Sequence, residues 1–299
     1  MMDNSLPSTM RKVLVTGAKG QLGSRLLESV HPGLQVVGLD REVLDLTDSD
    51  SVDSALQAHL PDVVINAAAY TAVDQAETER DQAHSVNATG AEILARACAQ
   101  RGVDLIHIST DYVFDGTGSR PYRPEDSPRP IGAYGASKLA GERAVQAAFE
   151  AAQAGWWVIR VAWLCDVRGQ NFMQTMLRLG RLGKALKVVN DQYGTPTFAR
   201  PFAEALMNLA AHPHAAARGV HHYSHLGQTT WHGFAQAIFD FHGLEVNLAA
   251  CSTSEYPTPA QRPAYSCLDG REFARLIEQE QRDWKDVMAS ELKRDQQEN

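Results

Sequence analysis

A phenol and an ammonium stand four residues apart in Ala133-Tyr134-Gly135-Ala136-Ser137-Lys138. If the stretch is helical, both side chains lie on one face. A free tyrosine, with a pKa near ~10, is a poor proton donor or acceptor at neutral pH, but a lysine held beside it favours the phenolate by roughly 1 to 3 units. Such a pair makes Tyr134 a general acid for a carbonyl that is receiving a hydride. The bland alternative is a surface pair, because tyrosine and lysine meet at this spacing by chance. What separates the two is whether the rest of the chain builds a cleft there.

The elements that would position the pair come upstream in a consistent order. Arg11-Lys12-Val13-Leu14-Val15-Thr16 reads as a strand, Gly17-Ala18-Lys19-Gly20-Gln21-Leu22-Gly23 as a glycine turn, and Leu22, Leu26, Leu27 and Val30 as a helical stripe. Glycines three apart let a backbone turn tightly and approach a pyrophosphate, whose charge a helix N-terminus favours. A second strand, 35–39, ends in Asp40-Arg41, where a dinucleotide fold meets the adenosine ribose. Asp40 suits the 2′-hydroxyl of NAD and Arg41 the 2′-phosphate of NADP, so the pair points both ways.

Asp45-Leu46 precedes a helix start at Thr47-Asp48, and the strand Asp62-Val63-Val64-Ile65-Asn66 runs into Ala67-Ala68-Ala69-Tyr70. Small residues at a strand's carboxyl end leave room for a ligand, although alanines also serve tight packing. Val86, Gly90, Ile93, Leu94 and Ala97 form a helix that stops at Gly102, with Asn87 inside it despite a modest helix propensity. The strand 103–109 then presents Ser109-Thr110-Asp111-Tyr112 at its end, where parallel sheets place their chemistry. Prolines at 121, 124, 128 and 130 make a loop before the Tyr134 helix. Four strand–helix units in succession predict a doubly wound parallel α/β sheet.

Beyond it, 157–163 reads as another strand, Gly169-Gln170-Asn171-Phe172 opens a helix, 188–197 is strand and turn, and 219–223 is a short strand. The proline-rich 252–266 around Arg262 is either a loop over a cleft or an exposed connector. The first ten residues and the polar run after Ser290 read as disordered tails. His221, His222 and His225 do not make a metal site, since neighbours on a strand point to opposite faces and no acidic or cysteine ligand pattern accompanies them.

Composition excludes several classes. No apolar run approaches the ~20 residues of a membrane span, and a net charge of −8 opposes a broad nucleic-acid surface. The four cysteines lack C-x-x-C spacing and read as reduced thiols of a cytoplasmic protein.

With T-G-x-x-G-x-x-G at 16–23, Asn66-Ala67-Ala68-Ala69, and Tyr134 four before Lys138, the chain resembles the extended short-chain dehydrogenase/reductase family. Longer strings extend the resemblance over nearly the whole chain, to members acting on nucleotide sugars. They include Ala69-Tyr70-Thr71-Ala72-Val73-Asp74, 109–116 from Ser109 to Gly116, 190–197 from Asn190 to Thr197, Thr229-Thr230-Trp231-His232 and 256–263 around Arg262.

The resemblance implies a Rossmann-type domain over 11–163, with returning segments within 187–225, and a smaller C-terminal α/β substrate-binding domain mainly over 164–299. It implies NADPH or NADH as cofactor and reduction of the C4 ketone of dTDP-4-dehydro-L-rhamnose, with Tyr134 as proton donor, Lys138 holding the nicotinamide ribose, and Thr110 bonding the reacting oxygen. Gly17 and Gly20-Gln21-Leu22 would cover the pyrophosphate, Asp40, Arg41 and Asp45-Leu46 the adenosine, and Ala69-Tyr70-Thr71 the rest of the cofactor cleft. Thr110, Asp111 and Trp163 would face the sugar, with Asn171 and Arg262 on the nucleoside diphosphate. Some relatives hold Mg2+ at a homodimer contact, but no ligand motif for it is legible here. The alternatives are a nucleotide-sugar epimerase or dehydratase and a silent cofactor-binding subunit. Intact Thr110, Tyr134 and Lys138 count against silence.

Overall fold

The computed structural model describes residues 10–213 and 217–298. The lead-in before Met10, read above as a disordered tail, lies outside the described residues.

The chain alternates strand and helix through β1 (Arg11–Thr16), α1 (Gln21–Glu28), β2 (Leu34–Leu39), α2 (Ser49–His59), β3 (Val63–Asn66), α3 (Arg80–His84), α4 (Gly90–Arg101), β4 (Asp104–Thr110), α5 (Ala133–Ala148) and β5 (Trp156–Val161). Local chemistry sets the boundaries. Asp48 caps α2 by accepting from Asp50 N, and Gly102 ends α4 at φ +67°. The fifth strand stops at Val161, two residues short of the sequence expectation, because Trp163 turns the backbone to φ +47°.

Five strands and a later sixth, β10 (Gly219–Tyr223), form one parallel sheet in the order β10-β5-β4-β3-β1-β2. Successive side chains enter opposite cores: Val13, Val15 and Ile65 pack with Leu22 and Leu26 of α1 on one face, and Leu14, Val64 and Leu105 with Leu94 and Val145 on the other. Burial on both faces explains why these strands read as continuous apolar runs. The chain leaves β1 to one side for β2 and to the other for β3, so a crevice opens between their carboxyl ends.

After β5 come β6 (Leu164–Cys165), α6 (Phe172–Arg181), β7 (Leu186–Val189), β8 (Tyr193–Gly194) and β9 (Thr197–Phe198). Helix α7 (Ala199–Ala211) returns to pack on α1 before β10 joins β5. Then β11 (Thr229–Thr230), α8 (Trp231–Phe241), β12 (Leu248–Cys251), α9 (Arg271–Leu276) and α10 (Trp284–Glu298) complete the chain. Met173, Met176, Phe198, Phe234, Phe239 and Trp284 make a separate core for this second lobe.

One expectation is overturned here. The polar run after Ser290 is no tail but the end of α10, whose Trp284, Val287, Met288 and Leu292 are buried at helical spacing. Its acidic residues have partners: Asp295 lies 3.0 Å from Arg168, and Glu298 2.8 Å from Arg168 and 2.9 Å from Arg200. All four cysteines are buried and free. Among the described residues no helix is long and apolar enough to cross a membrane.

Candidate active site

The glycine turn lies in the crevice between β1 and β3. Gly17 has φ +67°, and a Cβ on it would lie 2.8 Å from Ala68 N, so the turn requires glycine both for conformation and for closeness. Thr16 Oγ1 donates to Asn66 Oδ1 at 2.7 Å and accepts from Ala68 N at 3.3 Å, while Asn66 Nδ2 meets His107 Nδ1 at 3.0 Å. These buried bonds join the ends of β1, β3 and β4. His107, which sequence reasoning passed over, is the third member of the chain.

At the end of β2 the cation beside Asp40 is Lys19, 2.5 Å away, and not Arg41, which is exposed and 3.9 Å from Asp45. Lys19 holds the Asp40 carboxyl below its ordinary range. Sequence reasoning missed Lys19; its one signal was a basic residue between the glycines. Lys19 beside the carboxylate, with Arg41 next to it in the chain, opposes its repulsion of a 2′-phosphate. NADH and NADPH are therefore both expected to work, with kcat/KM values within about a hundredfold, equivalent to ~2.7 kcal/mol. Lys19→Ala should move the ratio toward NADH, and a ratio unmoved by that change would place Lys19 away from the ribose.

The reaction end combines β4 and α5. Thr110 is the last residue of β4, Tyr134 stands in the first turn of α5, and a side-chain hydrogen bond joins them. Ala133 N donates to Glu77 Oε1 at 2.7 Å, fixing where the helix begins. Asn87 sits in a π turn (Ser85–Thr89) and bonds Tyr70 N at 2.8 Å, Tyr70 O at 3.0 Å and Ser137 Oγ at 3.0 Å. Its presence inside a helix is explained: it ties the Ala69-Tyr70 segment to the Tyr134 helix.

The electrostatics differ from the sequence expectation. Burial rather than Lys138 sets the Tyr134 hydroxyl, and the Lys138 Nζ donates to Ile108 O at 2.6 Å. Burial pushes the Tyr134 hydroxyl up to about 12 and Lys138 down to about 8. Tyr134 thus keeps its proton at neutral pH, the state a donor needs. Burial likewise raises the Asp111 carboxyl to about 6. Tyr112 packs edge-on to Tyr134, with ring centroids 5.5 Å apart, and hydrogen-bonds Arg262, whose Nη2 donates to Asp74 Oδ2 at 2.9 Å.

On the far wall Trp163 stacks on Trp231, centroids 3.6 Å apart and planes within 9°, and Phe172 covers Trp231 at 4.7 Å. A Cβ on Gly194 would lie 2.3 Å from the Trp163 ring, so the stack needs glycine there. Trp231 Nε1 donates to Gln192 Oε1 at 3.1 Å. Asn171 is committed locally: Oδ1 caps α6 by accepting from Gln174 N at 3.0 Å, and Nδ2 donates to Asp166 O at 2.7 Å. Asn171→Ala is expected to cost about 1 kcal/mol of stability, a lost cap, with little effect on sugar-nucleotide KM. A rise in KM without a lower melting temperature would reverse that reading.

All the residues expected from sequence to meet coenzyme or substrate, from Gly17 and Asp40 through Tyr70, Thr110 and Tyr134 to Trp163 and Arg262, line one cavity of about 1280 Å³. Pockets for a single small ligand are commonly about 300–1,000 Å³. This one has room for a dinucleotide in the crevice and a second ligand against the aromatic wall. Among the described residues no group of three or more His, Cys, Asp or Glu is arranged to hold a metal. The three histidines are core residues, His222 Nδ1 meeting Tyr122 O at 2.9 Å.

Residues 10–297 match the family model described as RmlD substrate binding domain. The dTDP-4-dehydrorhamnose reductase of Burkholderia thailandensis is 41% identical over 290 residues, covering 92% of this chain and 95% of that protein. The spore coat polysaccharide biosynthesis protein SpsK of Bacillus subtilis is 40% identical, covering 88% and 90%. Among solved structures, dTDP-4-dehydrorhamnose reductase from Bacillus anthracis in complex with NADP aligns with TM-score 0.88 at 37% identity, covering 95% of this chain and 99% of that one.

Proposed function

The chain belongs to the RmlD substrate binding domain family, and on that premise we propose that it reduces the C4 ketone of dTDP-4-dehydro-L-rhamnose to the alcohol of dTDP-L-rhamnose, the last step of dTDP-rhamnose biosynthesis. It is an NAD(P)H-dependent oxidoreductase of the short-chain dehydrogenase/reductase type. The observation that carries the reading is the meeting of Thr110, Tyr134 and Lys138 on one cavity with the glycine turn, in a chain 41% identical to a reductase of that name over almost its full length.

The crevice fits a dinucleotide: Gly17 admits a close approach, the N-terminus of α1 faces it, and Asp40 with Lys19 closes its far end. A reduced nicotinamide supplies the hydride when bound. The chain's own residues do the remainder. Thr110 and Tyr134 hold the ketone oxygen, and Tyr134 gives it a proton as negative charge develops. The Lys138 ammonium steadies the nicotinamide ribose and compensates the phenolate left behind. Trp163 and Asp111 face the sugar, and Arg262, with a planar fork suited to two oxygens, faces the diphosphate. In this reading the lobe over 11–163, with the returning β10, holds the coenzyme, and 164–299 mainly holds the sugar nucleotide. The buried free thiols suit the cytoplasm.

A dehydratase of this fold is the competing reading. The resemblance places Thr-Asp-Glu in such enzymes where this chain has Thr110-Asp111-Tyr112, and elimination needs both an acid and a base. Spacing alone shows no cation beside Tyr112 to favour its phenolate. Arg262 supplies one, yet burial still pushes the Tyr112 phenol upward, which leaves it a poor base. Purified protein mixed with NADPH and the dTDP-4-keto sugar should oxidise one nicotinamide per sugar, read as loss of its absorbance, and should not dehydrate dTDP-glucose. Formation of a 4-keto-6-deoxy sugar from dTDP-glucose, with no net coenzyme oxidation, would replace the assignment.

A further inference from the structure

Behind the reaction centre lies a charge pair that none of these roles uses. Glu142 stands one turn after Lys138 on α5, so the two share a helix face. Its carboxylate accepts from Arg160 of β5 at 2.9 and 2.7 Å and from Ser109 Oγ at 2.5 Å. The side chains of Arg160 and Glu142 are 3% and 4% exposed. Strand register sets Ser109 beside Arg160 and Arg160 beside His222, and the guanidinium lies over the Phe114 ring at 5.1 Å. Desolvating two ions offsets most of their attraction, so stability alone is a weak reason for such a pair.

Its position relative to Lys138 is the better reason. Tyr134 and Glu142 flank the lysine on its own helix. From β4 come the Ile108 carbonyl and His107, which burial keeps neutral, and Asp111 follows β4 on the cavity side. Arg160 stands behind Glu142, and beyond it His222 of β10, which burial also keeps neutral. Of these groups Glu142 is the one whose charge favours the ammonium against the burial that opposes it.

We propose that Glu142 and Arg160 are positioning residues for the reduction: their pair keeps Lys138 a cation and ties Ser109, hence the Thr110 end of β4, to the helix carrying Tyr134. This rests on the reading that Lys138 acts as an ammonium in coenzyme binding and turnover. Replacing a buried ion pair by apolar groups of similar volume is commonly tolerated, so the test is the double variant Glu142→Leu with Arg160→Met. NADPH affinity, followed by coenzyme fluorescence, and kcat/KM for the dTDP-4-keto sugar are measured against pH. In the parent both fall as Lys138 loses its proton. In the variant that alkaline limb should move to lower pH by roughly one unit. A folded double variant with the parental limb in both measurements would overturn the proposal. Should the double variant not fold, Ser109→Ala removes one hydroxyl and leaves the ion pair in place. Its kcat should fall about tenfold with coenzyme affinity unchanged, since small misplacements of reacting groups are costly, and a parental kcat would overturn the proposal. A parent that binds NADPH with this pH dependence but reduces no dTDP-sugar would reject the function proposed above while the binding measurement still tests the pair.

Discussion

Tyr134→Phe is expected to lower turnover by ~10² to 10⁴-fold, the usual worth of a positioned general acid, and to leave coenzyme affinity near that of the parent. Only a hydroxyl is removed, and the ring still packs edge-on against Tyr112. The residual rate should keep the alkaline fall set by Lys138, which the substitution leaves in place. Because the hydroxyl is pushed up to about 12, the parent carries its proton throughout the physiological range. Single-turnover reduction with saturating NADPH checks the result, and a rate within a few-fold of the parent would remove Tyr134 from the role of acid.

Lys138→Met is expected to damage two things together. Its ammonium already spends one hydrogen on Ile108 O, which orients the others toward the cavity. Hydrogen bonds to a charged group contribute about 1.5–3 kcal/mol, so coenzyme affinity should weaken by about ten- to a hundredfold while turnover also falls. The sign of the pH effect follows from the direction of the shift. Lys138 is lowered to about 8, so the cation and its contribution are present below that pH and disappear as pH rises through it. In the methionine variant, affinity should be weak and flat over the same range. Parental affinity would show that Lys138 does not meet the nicotinamide ribose.

The parts legible in the sequence were those with local causes. The glycine turn, the small residues after β3 and the cap at Gly102 each follow from a backbone that had to turn or come close, and composition records such needs directly. The Tyr134–Lys138 spacing was legible for the same reason. What escaped depends on residues far apart in the chain. Lys19 meets Asp40 across α1 and β2, and Arg262 reaches Tyr112 and Asp74 from the other lobe. The direction in which the Tyr134 hydroxyl shifts was misjudged because burial, which spacing does not reveal, pushes it up. The residues after Ser290 look like a tail because their polar letters hide their partners. Arg168 and Arg200 lie about a hundred residues or more upstream.

The return of β10 to the side of β5 has a consequence for synthesis on the ribosome. When residue 163 has left the exit tunnel, β5 is the open edge of a five-stranded parallel sheet, and the α1 face that α7 will cover is bare. Chain growth must supply 60 more residues, counted as 223 − 163, before the edge is paired. An unpaired edge of apolar strand invites pairing with another chain. A fragment ending after β5 should therefore be recovered as aggregate, whereas one extended through Tyr223 closes its own sheet, and nascent chains stalled between those lengths are where a holding chaperone has most to bind.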